Sequence, residues 1–335
     1  MPLSDLPREI LLDIADHLGD AGTSALARTN RCIYDFLNRY LYRQDLTNPE
    51  SRSLLWGVRH GLEGTVQQAI ASSRHLDPIP NCYHMALQIA TEQGYVHLVE
   101  LLLGVNGIDP NYETYPPLVI AAERGHSTVV ELLLSTAKVD PNVRSVDGET
   151  ALHVAAREGH GSIVKQLLAR NDVDLNAVGG HLGRTALMEA CDQEGALDVV
   201  KLFLEKEDID INQQSSVGWY SALSLAVGSN NLKVAELLLD QDDIDPNLKD
   251  RSGRTALCTA CCENYLSMVE LLLENDNVDP NVRDNSQRTP LVHAYNLNHL
   301  DVAFSLLSHN DTVIDQEEVN IREALIYLRL YSGMD

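Results

Sequence analysis

One period runs through most of this chain. The triplet Asp-Pro-Asn stands at 109–111, 140–142, 245–247 and 279–281, with Asp174-Leu175-Asn176 and Asp210-Ile211-Asn212 in the gap. Successive Asn residues are therefore 31, 34, 36, 35 and 34 apart. A second phrase keeps step: Thr150-Ala151-Leu152-His153, Thr185-Ala186-Leu187-Met188, Thr255-Ala256-Leu257-Cys258 and Thr289-Pro290-Leu291-Val292. Leu87, Leu118 and Leu223 hold the same place in looser copies. A third phrase, Glu-Leu-Leu-Leu after Val or Ala, closes the units at Leu103, Leu134, Leu239 and Leu273. A unit of this length cannot bury its apolar face alone, so the copies must stack on one another.

The phrases explain themselves physically. Thr opens a short helix as its cap, and Leu with the small residues behind it lines one face. Gly94, Gly125 and Gly159 end that helix, where a left-handed backbone suits a residue without Cβ. A second amphipathic helix runs to the Leu-Leu-Leu. Asp-Pro-Asn then stops it, because Pro cannot continue a helix and Asn tolerates a tight turn. This pattern resembles the ankyrin repeat. The resemblance implies an all-α solenoid of helix-turn-helix units with short hairpin loops. Seven copies span 81–315, starting near 81, 112, 143, 177, 213, 248 and 282, and a degenerate copy fills 51–80. The fourth carries an extra residue near Asp192, and the fifth reads Gly218-Trp219-Tyr220-Ser221 where Gly-x-Thr is expected. Residues 316–335 leave the period; Ile321, Ala324, Leu325, Leu328 and Leu330 suggest a final helix that caps the stack.

Charge excludes several function classes. Lys+Arg 25 against Asp+Glu 49 gives −24, which repels nucleic-acid phosphates and anionic membranes. No apolar run approaches the roughly 18 residues of a membrane span, and the first residues lack a secretory pattern. The six cysteines lack the spacing of a disulfide framework. A cytoplasmic or nuclear protein is expected.

Residues 1–50 differ. Pro7 and Glu9 mark a helix start, and Ile10, Leu11, Ile14, Ala15 and Leu18 form one apolar stripe. The phrase Leu6-Pro7-Arg8-Glu9-Ile10-Leu11, followed by Leu26-Ala27-Arg28-Thr29-Asn30-Arg31, resembles an F-box, in particular those heading fungal ankyrin proteins. The resemblance implies binding to a Skp-type adaptor, and through it a cullin, by Leu6, Pro7, Ile10, Leu11, Leu26 and Arg31. The chain would then be the substrate receptor of a ubiquitin ligase. The alternative is a scaffold in which residues 1–50 serve only as an N-terminal cap.

No catalytic constellation stands out. Gly179-Gly180-His181-Leu182-Gly183 falls at a hairpin tip with no strand before it, so it reads as a turn. Cys258-x-x-Cys261 has no second pair at finger-like spacing and reads as small apolar filling. No enzyme activity, cofactor or metal is expected. His126, His153 and His160 recur in register, which assigns them to bonding neighbouring backbone. Partner binding is expected at the variable tips, from Tyr115, Arg157, Arg184, Trp219, Tyr220, Arg254 and Arg288. Aromatic and arginine side chains dominate binding hot spots, and the guanidinium fork suits an acidic or phosphorylated segment.

Overall fold

The computed structural model describes residues 49–72, 81–112, 115–193, 195–314 and 318–331, with side chains from 53 to 326. The six F-box positions, Leu6, Pro7, Ile10, Leu11, Leu26 and Arg31, lie outside the described residues. Every regular element within them is a helix, and the chain divides into two compact units, Met1–His181 and Leu182–Asp335.

Among its described residues the first unit contains four helix pairs: α1 (Pro49–Arg59) with α2 (Glu63–Ser72), α3 (Cys82–Glu92) with α4 (Val96–Leu103), α5 (Pro117–Glu123) with α6 (Ser127–Ser135), and α7 (Ala151–Arg157) with α8 (Gly161–Leu168). The second contains α9 (Ala186–Cys191) with α10 (Leu197–Leu204), α11 (Ala222–Gly228) with α12 (Leu232–Leu239), α13 (Ala256–Cys262) with α14 (Leu266–Leu273), and α15 (Pro290–Asn296) with α16 (Leu300–Ser308), followed by α17 (Val319–Tyr331). Within each unit, first helices pack on the first helices of neighbouring pairs and second helices on second helices. The expected ankyrin architecture is what forms.

The helix starts follow the Thr phrase. Thr185, Thr255 and Thr289 each accept the backbone N–H three residues on, at 3.3–3.4 Å. Removing such a cap costs about 1 kcal/mol. The irregular fifth copy compensates fully: Ser221 takes the cap position and forms a reciprocal box with Ser224. The phrase leucines Leu87, Leu118, Leu152, Leu187, Leu223, Leu257 and Leu291 are all buried. From α4 onward, second helices bury the Val or Ala of their phrase and at least one Leu or Phe a turn later, as with Val130 and Leu133 or Val200 and Phe203. Each such large side chain contributes about 1.5–3 kcal/mol.

Asn does more than tolerate a turn. Asn111 donates to Lys138 O at 2.7 Å and accepts from Asp140 N at 2.8 Å, tying its own repeat to the next. Asn142 does the same with Asp172 O and Asp174 N, Asn212 with Asp243 O and Asp245 N, and Asn247 with Asn277 O and Asp279 N. The preceding Asp folds back on the main chain, as Asp109 Oδ1 accepts Asn111 N at 2.9 Å. In the last copy Asn281 bridges to Asp311 O and Val313 N.

The out-of-phase C-terminal segment does form a helix, α17. It buries Leu325 and contacts α16, while Ile326 stays exposed. Just before it, the buried Glu318 carboxylate accepts the Thr289 hydroxyl.

Candidate functional site

The tip positions separate into side chains already engaged within the protein and side chains left to solvent. Tyr115, expected at an exposed tip, is buried, since Pro116 and Pro117 turn the chain into α5 immediately after it. Arg157 pairs with Glu149 and lies 3.3 Å from Glu158. Arg184 bonds Asp192 at 2.7 Å and sits 3.8 Å from Glu189, with a side chain only 13% exposed. Arg254 reaches Asp250 at 3.3 Å. Three of the four expected arginines are thus held by carboxylates of their own repeats, pairings that one-dimensional spacing does not display. Arg288 alone of that group is exposed.

Trp219 and Tyr220 are exposed as expected, at 54% and 38%. Their loop is built to present them. Gly218 and Trp219 both have positive φ, 85° and 58°, and a Cβ at Gly218 would run into the Tyr220 ring. Gln214 fixes the turn by donating to Trp219 O at 2.6 Å and to Lys249 O at 2.8 Å. Main-chain bonds link successive tips of the second unit: Ser216 N to Gly183 O, Val217 N to Leu182 O, Arg251 N to Gly218 O and Asn285 N to Ser252 O, all 2.9–3.1 Å. Leu182 and Val217 are also exposed, at 43% and 47%, and were not singled out from sequence. Their signal was an apolar residue at a tip where the repeat elsewhere places polar ones. The second unit thereby offers four exposed apolar side chains on two bonded tips, with Arg251 and Arg288 exposed on the tips that follow.

The register histidines behave as expected. His126 Nε2 meets Glu92 O at 3.0 Å, His160 Nε2 meets Glu123 O at 3.2 Å, and His153 Nδ1 bonds Thr150 within its own cap. In the first unit His84 stacks on Tyr112 with centroids 4.5 Å apart, and burial lowers its pKa against the pull of Asp109.

A side-chain cluster absent from the sequence expectation lies between α13 and α15. Cys258 and Cys261 are buried, as small apolar filling requires. Yet Cys258, the half-buried Cys262 and His293 bring one donor atom each within 4.8 Å of the others. The Cys258 thiol hydrogen-bonds Cys262 and, with His293 and Arg254 nearby, pulls the Cys262 thiol down to about 6 despite its burial. The same bond pushes Cys258 up. His293 Nε2 bonds Asp284 Oδ2 at 2.8 Å. Burial works against the Asp284 carboxylate, but backbone N–H donors from Arg288 and Ser286, together with His293, still hold it below the usual range.

The family described as ankyrin repeats (3 copies) matches residues 54–145, 118–215 and 223–318. Among solved structures, the crystal structure of EF0377, an ankyrin repeat protein, superposes with a TM-score of 0.53 at 24% identity, covering 58% of this chain and 97% of that one. No curated protein matches the chain. No helix among the described residues is long and apolar enough to cross a membrane.

Proposed function

Because the chain belongs to the ankyrin-repeat family, whose stacked helix pairs are protein–protein interaction modules, we propose that it holds a target protein on the loop tips of residues 182–335. The observation that carries this reading is the exposure of Trp219 and Tyr220 beside Leu182 and Val217, on tips joined by main-chain bonds. Large aromatics held rigidly in solvent lose little entropy on binding and anchor interfaces well. Arg251 and Arg288 favour an acidic or phosphorylated segment of the target. Arg184 and Arg254, paired with carboxylates of their own repeats, act here as supports for these tips, while in the first unit Arg157 braces its own repeat and Tyr115 belongs to the core.

Capture from the source cells with wild type and with Trp219→Ala/Tyr220→Ala tests the surface. The target is retained by wild type and lost by the double variant, at a cost above about 1 kcal/mol for Trp219 alone. Equal retention places the target elsewhere. Once a target is in hand, Arg251→Glu/Arg288→Glu flattens the salt dependence of association, and phosphatase treatment of the target separates phosphate from carboxylate recognition.

The Leu6-Pro7-x-Glu9-Ile10-Leu11 phrase supports a finer role, the substrate receptor of a Skp–cullin ubiquitin ligase, with residues 1–50 holding the adaptor. Leu6→Ala/Pro7→Ala abolishes co-purification with a Skp-type adaptor under this reading. Unchanged recovery returns residues 1–50 to the role of a cap and leaves a scaffold without a ubiquitin link.

A further inference from the structure

We propose that Cys258, Cys262 and His293 form a zinc site that staples two neighbouring repeats of the second unit. Cys258 and Cys262 are four residues apart on α13, so both sulfurs project from one face of that helix. His293 comes from α15, the first helix of the next repeat, and the three donor atoms lie within 4.8 Å of one another. A tetrahedral zinc ion with Zn–S about 2.3 Å and Zn–N about 2.1 Å sets its donors about 3.5–3.8 Å apart. Closing the cluster around the ion therefore takes a movement of the donor atoms of about 1 Å, within the reach of side-chain rotation.

Three further features fit a metal better than filling. The set is two thiols and an imidazole, the chemistry that selects zinc over magnesium or calcium, which take oxygen donors. Asp284 accepts from His293 Nε2 at 2.8 Å, which fixes the tautomer and leaves Nδ1 as the nitrogen with a lone pair to give. Carboxylates in this position behind a metal-bound imidazole raise its donor strength. Cys262 and His293 are partly exposed, the His293 side chain at 13%, so the cluster is not sealed from solvent, and three protein donors leave a fourth position for water. With both thiols deprotonated the loaded site is neutral, and Arg254 beside it keeps its own balance through Asp250 at 3.3 Å. An ion here joins the sixth and seventh copies in addition to their packed face, so the stability of the last two repeats becomes linked to zinc.

Cobalt is the probe, titrated into the full reduced chain before zinc is added. One equivalent gives a sulfur-to-cobalt charge-transfer band in the near ultraviolet with tetrahedral bands in the visible, and zinc bleaches both. Cys262→Ser loses at least tenfold in affinity and much of the charge-transfer intensity, and Asp284→Asn weakens binding about 10–100-fold. Cys261→Ala, on the same helix but outside the group, binds as wild type. Zinc also slows hydrogen exchange in α13 and α15 of wild type but not of Cys262→Ser. Cobalt spectra without charge transfer, or equal affinity in wild type and both Cys262→Ser and Asp284→Asn, overturn the proposal. The ion would then sit on surface carboxylates, which a chain with 49 acidic residues has in abundance.

Discussion

The two units build the same turn with different residues. In the first, α3, α5 and α7 are each followed by a left-handed glycine, Gly94, Gly125 and Gly159, with φ of 72°, 75° and 71°. In the second, Gly195 (φ 82°) still follows α9, but the same place after α11, α13 and α15 is held by Asn230, Asn264 and Asn298, with φ of 53°, 60° and 61°. Asn is among the few residues with a Cβ that reach this region at modest cost. The neighbour explains two of the three glycines. At Gly94 and Gly125 the imidazole of the next copy, His126 or His160, packs so closely that an added Cβ would lie 2.9 or 2.8 Å from the ring. The repeat therefore demands a left-handed backbone at this place, and sterics demand glycine at Gly94 and Gly125, whereas at Gly159 nothing lies within 4 Å of an added Cβ and glycine answers the backbone conformation alone.

The largest effect is expected at Gly125. Gly125→Ala meets both the left-handed backbone and the His160 ring, and should destabilise the first unit by about 2 kcal/mol or more. Hydrogen exchange in α5–α8 reads the loss locally. His160→Ala should remove part of that penalty, so the double variant costs less than the sum of the two singles. Strict additivity would mean that the ring does not set the choice of glycine.

Asn142→Ala and Asn247→Ala come next. Each breaks two inter-repeat bonds, one in each unit, and each should lower stability by about 1–2 kcal/mol. Urea midpoints with an unchanged slope check this, and a cost confined to one unit would break the view that the two share one interface design.

Smallest is Asn264→Gly, where no steric demand operates. It should change stability by less than about 0.5 kcal/mol, since relief of the left-handed strain is offset by the freer unfolded chain. A shift as large as that of Gly125→Ala would show that the Asn side chains carry a function the turn alone does not explain.

Much of this was legible in the chain itself. The Thr phrase marks the caps at Thr185, Thr255 and Thr289, and the recurrence of His126 and His160 after glycine marks inter-repeat bonds to the main chain. Asn of the Asp-Pro-Asn triplet was legible as a turn former but not as a staple, because its partners are carbonyl and N–H groups that carry no side-chain signature. The surface was half legible. Trp219 and Tyr220 announce themselves as aromatics at a tip, whereas Leu182 and Val217 gain meaning only once their tips are bonded together.

The sequence by itself determined the period, the helix pairs and their caps, because these depend on residues a few positions apart and on a pattern that repeats along the chain. Tertiary structure alone decided which arginines remain available, as Arg184 and Arg254 do not and Arg288 does, because a carboxylate within reach depends on how loop and helix bring side chains into one place. It also decided that Cys262, on one helix, meets His293, on the next. In register Cys258 corresponds to Val292, so the histidine stands one residue off the repeating pattern, and only the packing of α13 on α15 turns that offset into proximity.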